Sequence, residues 1–559
     1  MGHEEPRVHA QEELLPFLLN PKSYPHQPRH VRLVQTHASF VFIAPPFVYK
    51  IKKPVNFGFL NFSTLERRRY FCEREVQLNR RLCPDMYLGV VPIVRLANGF
   101  AFGKEGEAIE YAVQMRKLSD NAFMDKLLKR NAVSANDLSR IVTKLKRFYE
   151  THRPNEEIEK WGRIRRLKIS TDENFRQAES FVGQTISRAA LDAIRFYTNE
   201  FYRKRRGWFA KRVRDRWIRD CHGDLHLEHI HITARTLHIY DCIEFNDRLR
   251  YVDVASDVAF LAMDLDHEGR PDLARQFVAG MSAALRDPAM LHGMNFYKCY
   301  RAFVRGKVES LHSVAPAAPE AERSASAERA RRYFRLALNY ALGDAKPVAL
   351  VIMGRIASGK STLARLLAQE LGWHVFSSDR IRKESAGFPL FERTSAAARQ
   401  GLYSLSATEQ TYRKLLNLAL AEAHGGRGAI LDATFAHREQ RDALRRRFER
   451  AGVPFCIIEV NAGDVAIRRR LGERERKQDE ISDARLDDFE NLTSIYEPPR
   501  RAENVFSVKT TTASETTVRT ALLQLVRDHL SRIRRAPTAQ RQKHRARKMR
   551  AQFASRPKR

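Results

Sequence analysis

The chain has 559 residues, 43% of them apolar, and a formal net charge of +33. That length holds more than one buried core at roughly 150 residues per domain, while no apolar run approaches the ~18 residues a membrane span needs. The charge attracts polyanions of any kind, nucleic acid and nucleotides included. Six scattered cysteines without a CxxC pair argue against a disulfide or zinc framework. Together with an acidic N-terminus lacking an apolar signal core, they predict a cytoplasmic protein with no membrane partner.

In chain order, a short helix is expected over Gln11–Leu19, then three strands, Val31–Gln35, Ser39–Ile43 and Phe47–Lys52, the last two joined by a turn at Ala44-Pro45-Pro46. A helix follows from about Thr64 to Leu82, then strands over Tyr87–Arg95 and Ile109–Met115. Asn121 to about His152 is helical, with Ile141, Leu145 and Phe148 on one face. Glu156–Asp220 is rich in helix, and Cys221–Asp241 reads as loop, strand, turn, strand. Helices then run to about Leu311.

Chemistry in this half begins at Val48-Tyr49-Lys50-Ile51-Lys52, where alternation puts both lysines on one side of a strand. One of them could meet ATP and a carboxylate on the following helix. The loop His222-Gly223-Asp224-Leu225-His226 carries an Asp that could orient an acceptor hydroxyl. Asp241, just after a strand, could hold Mg2+ against ATP phosphates. Each piece is weak alone; their order is informative. That order, with THASFVFIAPPFVYKIKKPVNFGF, YLGVVPI and DCIEFNDRLRYVDVASDVAFL, resembles the aminoglycoside-phosphotransferase branch of the protein-kinase-like fold. The resemblance implies an α+β phosphotransferase domain with Asp224 as catalytic Asp, Asp241 as metal Asp and Lys50 as the ATP lysine. Glu75 is the better helix partner and Glu73 the next. Two departures stand out: His229 occupies the place of a metal-binding Asn, and Thr36-His-Ala-Ser39 replaces a Gly-rich loop. Imidazole favours softer ions than Mg2+.

Ala315–Ala327, rich in Ala, Pro, Glu and Ser, is expected to be a surface connection, followed by a helix over Glu328–Leu342 and a domain boundary at Asp344–Pro347. Beyond it strands and helices alternate: Ala349–Met353, His374–Ser377, Ala429–Leu431, Phe455–Val460 and Val505–Lys509. That predicts an α/β domain with a parallel sheet covered on both faces.

Gly354-Arg355-Ile356-Ala357-Ser358-Gly359-Lys360-Ser361 fits G-x-x-x-x-G-K-[ST] between a buried strand and an amphipathic helix that continues through Thr362. Backbone N–H groups of such a loop cradle phosphates, Lys360 reaches the β/γ-phosphates, and Ser361 can hold Mg2+. Asp379, past the second strand, is placed as a general base for a hydroxyl nucleophile. Arg382, one helical turn on, could hold the acceptor's charge. The strand Ala429-Ile-Leu-Asp432 ends in a carboxylate suited to a Mg2+ contact. Arg470 and Arg474 share a helix face that could close over phosphates.

GRIASGKST, SSDRIR, ILDATF and the basic helix followed by Ser482-Asp483-Ala484 resemble the small P-loop kinases related to polynucleotide 5′-hydroxyl kinases and zeta-toxin-like enzymes, over about Lys346–Leu530. This likeness implies phosphoryl transfer from ATP to a hydroxyl, with Asp379 as base and Arg382 on the acceptor. The acceptor itself is left open. The expected organisation is 1–343 kinase-like, 344–530 P-loop kinase and 531–559 a basic disordered tail with twelve Lys/Arg and no Asp/Glu. The tail is a candidate nucleic-acid contact through phosphates. The alternatives are a nucleotide-binding regulator, a nucleic-acid-binding protein or a 5′-hydroxyl polynucleotide kinase.

Overall fold

The computed structural model describes residues 11–103, 105–316, 318–343, 348–476, 480–510 and 513–535. The basic segment beyond residue 535 and the expected boundary at 344–347 lie outside the described residues. Among the described residues no helix is long and apolar enough to cross a membrane, and all six cysteines are buried thiols.

The chain forms two compact units, 1–172 with 205–301, and 173–204 with 302–559. This division departs from the expected boundary at 343. The helices Arg188–Lys204 and Glu320–Leu342 belong with the C-terminal sheet. Arg188–Lys204 packs on the last helix, Ser514–Arg535, where Arg519 Nε donates to Asp192 at 2.6 Å and the Arg527 guanidinium covers the Phe196 ring. The helix Glu320–Leu342 starts eight residues earlier than expected. After Pro319 the segment EAERSASAE holds no further Pro or Gly, and its Ala, Glu and Arg favour helix over a loose connection.

In the first unit, β1 (Arg32–Gln35), β2 (Ser39–Ala44), β3 (Phe47–Lys52), β4 (Tyr87–Leu96), β5 (Gly99–Phe102) and β6 (Glu107–Arg116) form one antiparallel sheet in the order β1-β2-β3-β6-β4-β5. Within this sheet sequence patterning missed β5, where four residues opened by Gly99 at φ +127° carry little β signal of their own; the short strands Ile218–Asp220 and Tyr251–Asp253 were missed as well, in segments whose pattern predicts helix. The helix Leu65–Asn79 is capped by Thr64, whose hydroxyl accepts from Arg67 N–H, and ends three residues before the expected Leu82. Its buried face (Cys72, Glu75, Val76, Asn79) packs on the sheet with Tyr87, Val113 and Met115. The turn at Thr36–Ser39 is fastened by Thr36, whose hydroxyl accepts from Ser39 N–H at 3.0 Å. Two small antiparallel pairs follow: β7 (Ile218–Asp220) with β10 (Tyr251–Asp253), and β8 (Ile230–Ile232) with β9 (Leu237–Ile239).

In the second unit β11 (Ala349–Met353), β12 (His374–Ser377), β13 (Ala429–Asp432), β14 (Phe455–Asn461) and β15 (Phe506–Lys509) are all parallel, in the order β12-β13-β11-β14-β15. The central strand is buried along its whole length, as an apolar run in a doubly covered sheet should be. Ligands of such sheets bind beyond the C-terminal strand ends, and the motifs of this half gather there.

Candidate functional site

The stronger of two candidate sites lies at the end of β11. Gly354 leaves the strand at φ +142°, Ala357 follows at φ +49° and Gly359 at φ +103°. This left-handed sequence turns the loop so that the helix Lys360–Leu371 starts at Gly359. A Cβ on Gly354 would stand 2.4 Å from the Val460 carbonyl oxygen of β14, so a side chain has no room there. Lys360 is buried. Its Nζ donates to the Arg355 carbonyl across the loop at 2.9 Å. Burial lowers its pKa, and the carboxylates of Asp432 and Asp379 oppose that shift.

Parallel pairing aligns Ser377 of β12 with Asp432 of β13 and Ile352 of β11 with the same Asp432. Asp379, two residues beyond Ser377 in the first turn of the helix Ser378–Ser385, therefore belongs to the same rim as Lys360 and Asp432. Asp432 is buried close to Ser361; burial pushes its carboxyl up, with Lys360 and Ser361 pulling the other way. Serine and aspartate paired beside the loop lysine form an oxygen donor set suited to Mg2+.

The helix Asp464–Glu475 supplies Arg470 and Arg474. The guanidinium of Arg470 donates to the carbonyls of Ser358 (2.9 Å), Ala357 (3.3 Å) and Thr510 (2.7 Å). Thr510, just past β15, also donates its hydroxyl to Ser358 O. Arg474 faces Glu480 at 3.4 Å and adds its charge to the field at Lys360. A cleft of about 270 Å³ opens between Gly359, Thr362, Leu366, Arg470, Arg474 and Thr510. Its position, against the outer side of the loop, suits a nucleotide. Arg355 does not turn into the loop; it reaches out to Asp464 at 2.8 Å and Ala462 O.

Arg382 differs from its expected orientation toward an acceptor. It is buried, donates to Leu402 O at 2.5 Å and Thr408 Oγ1 at 3.2 Å, and lies 4.4 Å above the Tyr403 ring. It nonetheless lines a second cavity, about 400 Å³, with Phe388, Gln410, Thr411 and Lys414, and its Nε, buried there, has no hydrogen-bond partner. The next residue, Lys383, forms a buried ion pair with Asp483 at 3.2 Å. Asp483 also accepts from Thr394 N–H. Asp483 lies in a motif quoted above, but its pairing with Lys383 and the Thr510 contacts were not legible in the sequence.

The second candidate site lies in the first unit. Lys50 Nζ donates to Glu75 Oε1 at 2.9 Å and Asp241 Oδ1 at 2.8 Å. Lys52 Nζ donates to Glu75 Oε2 at 2.7 Å and to Glu244. The strand therefore presents both lysines to one helix carboxylate, and Glu75 is that carboxylate; Glu73 pairs on the surface with Arg69. Burial disfavours the ionised Asp241, but the Lys50 ammonium outweighs it and holds the carboxyl well below the usual range.

The loop carrying Asp224 is fixed from beneath. Asp257 accepts from the backbone N–H groups of His222 and Gly223 (3.0 and 2.9 Å) and from the Tyr149 hydroxyl (2.8 Å). Arg301 donates to Gly223 O. Gly223, at φ +86°, has Leu249 O only 3.0 Å from where a Cβ would stand. His229, in the place expected of Asn, lies between the two aspartates: Nδ1 is 3.0 Å from Asp224 O, and Nε2 is 3.4 Å from Asp241 Oδ2.

Residues 350–499 match the family model AAA_33, described as an AAA domain. The Mycobacterium tuberculosis protein named uncharacterized protein Rv2004c is 32% identical over 412 residues, which is 74% of this chain and 80% of that protein. A gluconokinase of Gluconobacter oxydans is 30% identical over 135 residues, 23% of this chain and 67% of the relative. Among solved structures, a gluconokinase from Sinorhizobium meliloti aligns with a TM-score of 0.25 and 18% identity, over 34% of this chain and 98% of that one. The C-terminal unit thus contains a P-loop kinase-type domain.

Proposed function

We propose, for a chain that belongs to the same family as the mycobacterial protein Rv2004c, an ATP- and Mg2+-dependent phosphotransferase that moves the γ-phosphate of ATP to a hydroxyl group. The observation that carries this reading is the convergence of Lys360, Ser361, Asp432 and Asp379 at one rim of the parallel sheet. Ser361 and Asp432 would hold Mg2+, which would offset the charge of the phosphates.

The loop amides from Gly354 to Thr362 grip the phosphate chain. Lys360 exchanges the Arg355 carbonyl for phosphate oxygens. Asp379 takes the proton of the acceptor hydroxyl as its oxygen bonds to the γ-phosphorus and the bond to ADP breaks. Arg470 and Arg474 stand on the nucleotide side, where they hold the loop and spread positive charge over the transferring group. The acceptor occupies the cavity lined by Arg382, Gln410 and Lys414, and two cations there favour one bearing negative charge. In the first unit, Lys50, Glu75, Asp241 and Asp224 support a second nucleotide site of the protein-kinase-like type. The high net charge and basic C-terminal segment make nucleic acid a candidate partner.

The test is transfer of labelled γ-phosphate to a panel of polyols, sugar acids, phosphosugars and 5′-hydroxyl oligonucleotides by the full chain. Lys360→Ala and Asp379→Asn should each abolish transfer without changing the folded far-UV signal. Full transfer by Lys360→Ala sinks the assignment to the C-terminal site, and label on an oligonucleotide end alone selects the polynucleotide-kinase reading.

A further inference from the structure

We propose that Asp224, His226, His229 and Asp241 form a site for a divalent transition-metal ion of borderline softness, such as Mn2+, Co2+ or Zn2+, which they hold in preference to Mg2+. The proposal does not rest on phosphotransfer in the first unit; it stands equally for a domain that only binds.

The geometry comes first. The spacing 224, 226, 229 wraps one short 3₁₀ turn, Leu227–His229. It brings one potential ligand atom from each of Asp224, His226 and His229 within 4.8 Å of the others. His226 Nε2 lies 3.4 Å from Asp224 Oδ2, and His229 Nε2 lies 3.4 Å from Asp241 Oδ2. Each pair is spaced like two ligands of one ion, which stand about 3.3–3.4 Å apart in a tetrahedron with metal bonds of about 2.0–2.1 Å. These separations are too long for good hydrogen bonds and suit atoms that share a cation.

The second argument is the orientation of His229. Its Nδ1 meets the Asp224 carbonyl, which can only accept, so Nδ1 carries the hydrogen. With Nδ1 so engaged, Nε2 is the nitrogen aimed at a carboxylate oxygen of Asp241. Two electron-rich atoms facing each other are unfavourable unless a cation lies between them. A ring N–H fastened to a backbone carbonyl is also how metal-binding histidines are commonly set. Asp241 divides its oxygens in the matching way, Oδ1 to Lys50 and Oδ2 toward His229. Its backbone is held at φ +60°, a strained setting for a non-glycine residue and one found at functional positions.

Charge gives a third, independent argument. Lys50 and Lys52 supply two positive charges to a cluster with four carboxylates, Glu75, Glu244, Asp241 and Asp224. A divalent ion makes good the difference of two. Two imidazoles among the ligands select against Mg2+, which prefers oxygen and gives up its water reluctantly.

The experiment uses the full chain, freed of metal by chelator and without nucleotide, titrated with Co2+ as the probe. Expected are one tight equivalent and a visible absorption band of a four- or five-coordinate, nitrogen-bearing site. Zn2+ should displace the Co2+, whereas a hundredfold excess of Mg2+ should not. His226→Asn and His229→Asn should each weaken Co2+ binding at least about tenfold, and Asp432→Asn in the other unit should leave the band intact. Displacement by comparable Mg2+, or wild-type Co2+ binding by both histidine variants, overturns the proposal. Should the variants misfold, the ring nitrogens of the wild-type chain decide. Zn2+ must shift two histidine 15N resonances, and no shift overturns it equally.

Discussion

Glu75→Gln should destabilise the first unit by about 3–5 kcal/mol, the cost of breaking a buried ion pair from one side. The Glu75 side chain is wholly buried, and each oxygen takes one ammonium, Lys50 at 2.9 Å and Lys52 at 2.7 Å. The glutamine oxygen can keep one of these. Its amide group must turn N–H toward the other, donor against donor, beside a Lys52 that is only 1% exposed. Lys52 would then rely on Glu244 alone. At roughly 2–4 °C per kcal/mol for a unit of this size, the midpoint should fall by about 6–20 °C. Trp161, Trp208 and Trp217 belong to this unit and Trp373 to the other, so tryptophan fluorescence reports mainly on it. Glu73→Gln is the control: Glu73 pairs with Arg69 on the surface and should shift stability by less than about 0.5 kcal/mol. Equal midpoints for Glu75→Gln and wild type would show that Glu75 does not anchor Lys50 and Lys52.

Gly354→Ala places a Cβ 2.4 Å from Val460 O at φ +142°. Backbone strain of about 1–3 kcal/mol and a comparable overpacking cost should abolish the thermal shift that ADP confers on the second unit, and a normal ADP shift would contradict the loop geometry. Arg470→Gln removes the donors that tie Ala357, Ser358 and Thr510 together. At about 1 kcal/mol per hydrogen bond the ATP KM should rise roughly tenfold or more while the fold persists; an unchanged KM assigns the arginine to the surface. Asp432→Asn should lower kcat at least about a hundredfold and raise the Mg2+ concentration needed for half-maximal rate, and an unaltered Mg2+ dependence would remove Asp432 from the metal site.

What could be read from the sequence was local. The phosphate loop, its flanking strand and helix, and the carboxylate ending β13 are continuous segments whose chemistry is set by neighbours. Alternation placed Lys50 and Lys52 together, and helical phase separates Glu75, on the face with Cys72 and Val76, from Glu73 on the surface. The contacts that sequence could not supply are made across large separations, even where one partner lies in a motif. Thr510 meets Ser358 across 152 positions, and Lys383 finds Asp483 a hundred residues away. Arg382 shows the limit of phase alone: one turn from Asp379 it should share that face, yet Leu402 O and the Tyr403 ring hold its guanidinium. Pairs across a fold leave no periodicity to read.

The two lysines proposed for nucleotide differ in what must be displaced, and that sets an order of binding. Lys360 donates to one neutral carbonyl, Arg355 O, so a phosphate offers it a stronger, charge-assisted partner at once. Lys50 is already held by two carboxylates, Glu75 and Asp241. A tetraanionic phosphate chain approaching it meets Asp241 and Asp224 first and is repelled. A cation shared by those aspartates and His229 would remove the repulsion and loosen Asp241 from Lys50, so the first unit should take nucleotide only after metal. Calorimetry with a non-hydrolysable ATP analogue in excess chelator should then find one equivalent, lost in Lys360→Ala. Added Mn2+ should reveal a second equivalent that survives Lys360→Ala and disappears in Asp241→Asn. Two equivalents bound in chelator would mean that Lys50 is free to exchange its carboxylates unaided, and the charge argument for the first unit would fail with it.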